Sequence, residues 1–383
     1  MTHLSKKGLG SVSRGYVDAR TNRLIAAFRY PGEIGFIGSL DLATGELRKL
    51  SEIKGMMLYK VTSLAFDPES RKAWYTEDNY AFRDIIEIDV DTGRKRMILK
   101  DARIGDLVFN PADKSIWGIR HQNGFATISR IPLPHRGHNQ VHTFAYGMTP
   151  WDLDISPDGT LVAASFSEVD GKQSVRVWTT QSFLAGSPEE VARLDLPPST
   201  PEGFTFSPDG KRLLGTSYYT GVSNVFVFDL ASQKYEVVTN AATGFFRPME
   251  QPDGTLLVYE YAGDGLTPSR IVPQKRDDLG TVEFLGTKVV RAYPELKQWG
   301  VGSPARVPLD ELVTERGKYH PKQRMRLAAA YPIVEGYQGL ISPGYFIHFE
   351  DPMQFSQLSA SVSYSPWGEL RDRDRLHVNL KYK

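Results

Sequence analysis

The sequence Ser156-Pro157-Asp158-Gly159 constrains this chain more than any other feature, because it recurs along the chain. It returns as Ser207-Pro208-Asp209-Gly210 and as Gln251-Pro252-Asp253-Gly254, and looser copies begin at Asp67 and Asn110. Proline fixes the first central position of a type I turn, aspartate suits the second, and glycine suits the residue after it. Short apolar stretches flank most copies. Each copy therefore predicts a hairpin between two buried strands.

The spacing of these turns indicates a repeat architecture. Successive turn prolines are 43, 46, 51 and 44 residues apart, and a period in the forties with several strands per repeat is typical of propeller blades. A degenerate copy of the turn at 17–22, with Ala19 in the place of the proline, adds a sixth unit. The sequence therefore predicts an all-β chain whose residues 15–290 form a six-bladed β-propeller.

Three further segments are predicted around this propeller. Residues 1–14 are polar, and they form either a tail or the strand that closes the ring. Residues 291–323 contain four prolines and little periodicity, which is typical of a linker. Residues 324–383 are predicted to form antiparallel β strands.

The last segment contains two stretches, 358–364 and 376–383, in which apolar and polar residues alternate without a fault. This pattern predicts an antiparallel hairpin with one apolar face. The residues of that face are Leu358, Ala360, Val362, Leu376, Val378 and Leu380. Strands of outer-membrane barrels show such alternation, with apolar side chains towards lipid and aromatic residues at both edges. A soluble sheet with one buried face shows it too, so both interpretations stay open.

Composition and motifs argue against several classes of function. The net charge of +1 gives no reason to expect a nucleic-acid partner. The chain has no cysteine, which excludes disulfides and thiolate metal sites. No Gly-x-Ser-x-Gly motif and no phosphate-binding loop is present. We interpret His135, His138 and His142 as part of a solvated loop rather than as metal ligands. The sequence thus predicts no cofactor and no metal, and it leaves enzymatic activity open while favouring a non-catalytic protein.

Candidate binding residues follow from the repeat. Positions five and six residues before each turn proline lie where the inner strands begin, at one mouth of the ring. These positions include Asp106, Trp151, Asp152, Glu202 and Arg247. Aromatic side chains beside mixed charges are typical of binding surfaces, so these residues are predicted to contact a protein or peptide. The alternative is that Trp151 and Phe246, which is six residues before Pro252, belong to the core between blades and that the acids are structural.

The repeats, with their Ser-Pro-Asp-Gly turns, resemble the TolB-like and WD40-like six-bladed propellers of bacteria. The last sixty residues, with Tyr331-Pro332, Gly336-Tyr337 and Tyr364-Ser365-Pro366, resemble the first strands of bacterial surface antigen barrels of the outer membrane. Together these resemblances imply a non-catalytic binding or scaffolding propeller of the bacterial cell envelope. It would lie in the periplasm and associate with the outer membrane through its C-terminal strands.

The resemblance also implies an alternative function. Propellers build lactonase-like hydrolases and form part of larger peptidases and hydrolases. Some relatives carry a metallopeptidase-like domain, but this chain has no His-Glu-x-x-His sequence. Because no signal peptide opens the chain and its last strand pattern stops abruptly, we expect it to be a fragment of a longer protein.

Overall fold

The structure is a computed structural model of the 383-residue chain. It describes residues 1–5, 7–53, 63–79, 82–168, 171–196, 199–277, 279–280, 285–298 and 307–383. The chain forms two compact units, Met1–Arg306 and Val307–Lys383. Residues 299–306 of the predicted linker lie outside the described residues.

Six antiparallel sheets form the first unit, and each is one blade of a β-propeller. The first strand, β1 (Thr2–His3), belongs to blade six. Blade one contains β2 (Ser11–Val12), β3 (Tyr16–Asp18), β4 (Arg23–Arg29), β5 (Phe36–Asp41) and β6 (Leu47–Glu52). Blade two contains β7 (Leu64–Asp67), β8 (Lys72–Asp78), β9 (Arg83–Asp89) and β10 (Lys95–Leu99). Blade three contains β11 (Ile104–Phe109), β12 (Ile116–Gln122), β13 (Phe125–Ile131) and β14 (Asn139–Thr143).

Blades four to six continue the pattern. Blade four contains β15 (Thr149–Ile155), β16 (Leu161–Ser167), β17 (Gln173–Thr179) and β18 (Glu190–Asp195). Blade five contains β19 (Pro201–Phe206), β20 (Arg212–Ser217), β21 (Asn224–Asp229) and β22 (Lys234–Val237). Blade six contains β23 (Phe245–Glu250), β24 (Leu256–Ala262) and β25 (Gly265–Ile271), together with β1. The predicted six-bladed propeller is therefore confirmed.

The N-terminal segment supplies the outer strand of the last blade. Strand β1 pairs antiparallel with β25, with Thr2 opposite Arg270. The backbone N–H of Leu4 donates to the carbonyl of Pro268 at 2.8 Å. The chain then crosses to blade one, so strands from both ends of the propeller sequence meet in blade six and close the ring.

Apolar side chains fill the spaces between neighbouring blades. Separate cores join blades one and two, two and three, three and four, four and five, five and six, and six and one. Trp74 and Phe109 stack in the core of blades two and three, with ring centroids 5.4 Å apart. The core between blades six and one shows that the ring is complete. Middle strands such as β4 and β16 bury five consecutive residues, and therefore both faces, because both faces meet a neighbouring blade.

The repeated turns form as the sequence predicts. The N–H of Gly159 donates to the carbonyl of Ser156 at 2.8 Å, and Asp158 Oδ1 accepts from the N–H of Thr160 at 3.0 Å. Gly159 has a φ of +75°, which glycine adopts without steric cost. In the looser copies the left-handed residue is not a glycine, and it lies one position after the place that Gly159 takes in its turn. Arg71 is an example, with a φ of +63°.

Short helices interrupt the strands. They are α1 (Thr180–Leu184), α2 (Leu285–Ala292) and α3 (Leu309–Leu312), and 3-10 turns cover Pro294–Gln298, Pro321–Arg324 and Asp372–Asp374. Helix α1 was not predicted. It begins where the Thr179 hydroxyl accepts the N–H of Ser182 at 3.2 Å, and it buries Phe183 in the core of blades three and four. No helix in the described ranges has the length and apolar character needed to span a membrane.

The second unit contains one four-stranded antiparallel meander. Its strands, in spatial order, are β26 (Arg326–Tyr337), β27 (Leu340–Glu350), β28 (Gln357–Tyr364) and β29 (Leu376–Tyr382). The predicted hairpin is confirmed, because β28 pairs antiparallel with β29 and Val362 lies opposite Val378.

This register places most of the large exposed apolar residues of the four strands on one face of the sheet. The large exposed side chains on that face are Leu327, Val334, Ile341, Tyr345, Phe349, Val362, Tyr364, Leu376, Val378, Leu380 and Tyr382. The opposite face, which we call the polar face, carries most of the polar side chains of the sheet, and it also carries Tyr331, Ile333 and Phe346. There the Glu335 carboxylate accepts from the hydroxyls of Ser361 and Ser363 at 3.2 and 2.6 Å. We call the first of these surfaces the apolar sheet face.

Candidate functional site at the propeller axis

The inner strands of blades three to six carry a β-bulge at the same place. The pairing register shifts after Gly105, Trp151, Glu202 and Phe246. The next residue of each strand has a positive φ, namely Asp106 at +48°, Asp152 at +51°, Gly203 at +62° and Arg247 at +49°. A bulge re-aims the side chain that it carries. The positions five residues before the turn prolines therefore line the channel along the propeller axis.

Side chains at this level bind the backbone of the following blade. Asp152 Oδ2 accepts from the N–H of Gly203 at 2.7 Å. The Ser63 hydroxyl accepts from the N–H of Leu107, and the Asp106 carboxylate accepts a backbone hydrogen bond from Asp152. These bonds fix the axial side chains, so the channel has a defined polar lining.

Four of the five predicted site residues line one cavity, which we call the mouth pocket. Trp151, Asp152, Glu202 and Arg247 surround a volume of about 700 Å³, together with aromatic side chains from blade six. Those aromatic residues are Phe246 and Tyr261. The carboxylate of Asp152 is the nearest acid to Arg247, with Oδ1 3.9 Å from Nη1.

The fifth predicted residue, Asp106, lies in a smaller cavity of about 90 Å³, which we call the inner chamber. Asp152 and Arg247 line this chamber too, as does Arg83. Burial and the negative charge of Asp152 raise the pKa of Asp106 to about 6, although Arg247 and Arg83 oppose the rise. Asp106 can therefore change its charge near neutral pH.

A third cavity of about 340 Å³ lies towards the repeated turns, and we call it the turn-side pocket. Pro157 and Pro208 of those turns line it, and so do Asp152 and Arg247. These last two residues line all three cavities. The three cavities are thus successive parts of one axial channel.

Arg14 crosses this channel from blade one to blade four. Its Nη1 donates to the carbonyl of Leu153 at 3.0 Å, and its Nη2 is paired with the carboxylate of Asp154. Burial lowers the pKa of Arg14, but the charges of Asp154, Tyr16 and Asp152, together with the hydrogen bond to Asp154, outweigh this, and the pKa is raised. Blades one and four are opposite each other in a ring of six. The ion pair therefore braces the ring across its axis.

Sequence reasoning found some of these residues and missed others. It did not select Arg14, although Arg14 lies five residues before Ala19, which takes the proline position in blade one. Arg83 begins the third strand of blade two, and the turn spacing gives no signal for it. The alternative that Trp151 and Phe246 are core residues applies only to Phe246, which packs partly against the core of blades six and one.

The histidine stretch is not the solvated loop that the sequence predicted. His135 is buried, its ring lies edge-on to Trp74 with centroids 5.1 Å apart, and its Nε2 is 2.9 Å from the carbonyl oxygen of Lys114. The ring of His142 packs on Phe144. The prediction failed because the loop folds back on the core of blades two and three. Over the described residues there is no group of three or more histidine, aspartate or glutamate side chains that could hold a metal.

The chain matches no protein-family model, and no curated protein matches it. An oligogalacturonate lyase in complex with manganese has a TM-score of 0.49 at 12% identity, over 70% of this chain and 77% of the other. TolB from Acinetobacter baumannii has a TM-score of 0.49 at 18% identity, over 67% of this chain and 65% of the other. A gluconolactonase from Xanthomonas campestris has a TM-score of 0.48 at 14% identity, over 72% and 88%. All three TM-scores are below 0.5, so we base no functional argument on these similarities.

Proposed function

We propose that this chain is a non-catalytic binding propeller of the bacterial cell envelope and that its mouth pocket receives a segment of a protein or a peptide. The observation that carries the proposal is the composition of that pocket. It combines Trp151 and Tyr261 with Glu202 and Arg247 around about 700 Å³. Aromatic and arginine side chains dominate the binding energy of protein interfaces, and a cavity of this size accommodates one or two residues of an extended chain.

Selection of displayed peptides tests this proposal. A random peptide library is selected on the full chain, and the recovered peptides are measured against Trp151→Ala and, as the matched control, Trp178→Phe. Trp178 lies in the core of blades three and four, away from the mouth pocket. We expect Trp151→Ala to weaken binding by about 2 kcal/mol, as for a typical aromatic anchor. Peptides that bind both variants like the wild type would contradict the proposal.

The apolar sheet face supports the second half of the proposal, an association with the outer membrane. We propose that this face meets lipid. Tyr364 and Tyr382 lie at opposite ends of the β28–β29 hairpin, as the aromatic residues of outer-membrane strands do. Exposed apolar area of this extent is rare on soluble monomers, and the hydrogen-bonded polar face opposite it would be the one turned away from lipid.

Two variants of adjacent residues on β29 test the lipid proposal. Val378 is 66% exposed on the apolar sheet face, and Asn379 lies on the polar face beside it. We expect the full chain to float with phosphatidylethanolamine and phosphatidylglycerol vesicles in a density gradient. Val378→Glu should weaken flotation strongly, since a charge on a lipid-facing strand is unfavourable, by about 2–4 kcal/mol at mid-membrane for a basic residue and by less for an acid. Asn379→Glu should preserve flotation. A wild-type chain that stays monodisperse without detergent and does not float would refute the idea, as would a soluble dimer that Val378→Glu disperses.

One observation favours a second candidate function, that of a lactonase-like hydrolase or the propeller of a larger hydrolase. Asp106, whose pKa is raised to about 6 by burial and by Asp152, has the properties of a general base near neutral pH. Incubation of the purified chain with lactone and ester substrates tests it. Turnover that is lost in Asp106→Asn would establish the hydrolase and overturn the non-catalytic proposal.

A further inference from the structure

Glu202 stands out in the mouth pocket because its carboxylate has no hydrogen-bond or ion-pair partner among the described residues. Its backbone carbonyl accepts from the Thr216 hydroxyl at 3.3 Å. Its half-buried carboxylate makes no hydrogen bond and no ion pair with any residue in the described part of the chain. The other acid of the pocket differs, because Asp152 accepts from Gly203 and faces Arg247. A carboxylate held in a cavity without a partner loses hydration and gains nothing in return.

Aromatic rings line the same pocket as this carboxylate. Trp151, Phe246 and Tyr261 line the same pocket, and the ring centroid of Tyr218 lies 6.2 Å from that of Phe246. Burial raises the pKa of Tyr218, and so does the charge of Glu202. The faces of aromatic rings attract cations, and cages of such rings recognise alkylated ammonium groups.

The charge balance of the pocket also favours a cationic ligand. Two carboxylates, of Asp152 and Glu202, face one guanidinium, that of Arg247. Arg247 is nearest to Asp152. Burial and the charge of Asp152 raise the pKa of Glu202, and Arg247 lowers it only in part. A ligand that brings one positive charge would neutralise the pocket and supply the partner that Glu202 lacks.

We propose that the mouth pocket binds an alkylammonium group, with Glu202 as its counter-ion and Trp151, Phe246 and Tyr261 against its methylene groups. A lysine side chain has both parts, since its apolar stem packs on rings while its charge reaches a polar partner. A free alkylamine has the same chemistry. This proposal rests on the proposed function, and it specifies what the peptide presents to the pocket.

Calorimetric titration of the full chain tests the proposal with a matched pair of probes. The first is the peptide acetyl-Gly-Lys-Gly-amide, and the second is acetyl-Gly-norleucine-Gly-amide, which keeps the alkyl chain and lacks the charge. We expect the lysine probe to bind at least about tenfold more tightly than the norleucine probe. Glu202→Gln should remove this preference. Glu236→Gln, which changes an exposed acid on the outer strand of the same blade, should keep it. If n-butylamine competes with the lysine probe at a similar concentration, a free amine is sufficient for binding and the peptide backbone is not needed.

The possible failures separate this inference from the proposed function. If both probes bind equally and Trp151→Ala weakens both, the pocket still receives peptides, but the ammonium assignment is wrong. If neither probe binds at about 10 mM, a level that would detect even very weak complexes, then both the ammonium assignment and the peptide-binding proposal are wrong for such ligands. Glu202→Gln must retain the circular dichroism and the unfolding midpoint of the wild type. If it does not, the same comparison is made at 50 mM and 500 mM salt, at which the preference of the wild type must fall.

Discussion

Arg14→Met removes the guanidinium that links blade one to blade four across the axis of the propeller. The substitution keeps an unbranched side chain of similar length, so most of the packing is retained. It leaves the carboxylate of Asp154, which is 2% exposed, without its cation. Two backbone donors stay in place, because Asp154 also accepts from the N–H groups of Ile155 at 2.8 Å and Phe206 at 2.7 Å.

The size of the effect follows from these contacts. Removing one partner of a buried ion pair costs about 3–5 kcal/mol, because the remaining charge stays buried. The side chain of Arg14 is 21% exposed to the channel, and Asp154 keeps its two backbone donors. We therefore expect the lower end of the range, about 3 kcal/mol of the free energy of unfolding. For a domain of this size, that corresponds to a fall in unfolding temperature of about 6–12 °C.

Urea unfolding of Arg14→Met, Asp154→Asn and the double variant measures the interaction directly. Asparagine keeps an acceptor for only one of the two backbone donors. Because this loss is common to both Arg14 backgrounds, it cancels in the cycle, and we expect a coupling energy of at least about 1.5 kcal/mol for the charge pair. Arg247→Met is the matched control. Its guanidinium lies in the same channel, but its nearest carboxylate oxygen is 3.9 Å away, and we expect a loss under about 1 kcal/mol. If Arg14→Met costs no more than this control and shows no coupling, the ion pair does not brace the ring.

Two further predictions concern single positions. Burial and the charge of Asp152 raise the pKa of Asp106 to about 6 in the folded chain, compared with about 3.9 in the unfolded chain. Its contribution to stability is therefore complete below about pH 4 and is lost as the pH rises through about 6. In urea unfolding, Asp106→Asn should match the wild type at about pH 4 and exceed it by up to about 3 kcal/mol at about pH 7.5, and an equal difference at both pH values would contradict this. Gly159→Ala and Gly210→Ala both place alanine at a positive φ, +75° and +71°, which costs about 1–2 kcal/mol. Only Gly159→Ala brings a Cβ to within 2.4 Å of a neighbouring side-chain atom. It should therefore lower the free energy of unfolding by about 1–3 kcal/mol more than Gly210→Ala does. Equal unfolding midpoints for the two variants would show that the neighbouring turn moves aside without a cost in stability.

The number of blades and the register of the C-terminal hairpin could be predicted from the sequence because both depend on local patterns. A Ser-Pro-Asp-Gly turn constrains its own backbone, and strict alternation gives Val362 and Val378 a common face whatever covers that face. The spacing from each turn proline also located Asp106, Asp152 and Arg247, since the same bulge recurs in blades three to six.

Only the tertiary structure decided which side chains meet. Arg14 and Asp154 are 140 residues apart in sequence, and they pair because ring closure brings opposite blades to one axis. His135 contacts Trp74 because its loop returns to the neighbouring core. The Glu202 carboxylate has no partner within the described ranges, although Glu202 lies one residue before the glycine that binds Asp152. No periodic pattern encodes such contacts, because the distances between blades are set by packing across the whole ring.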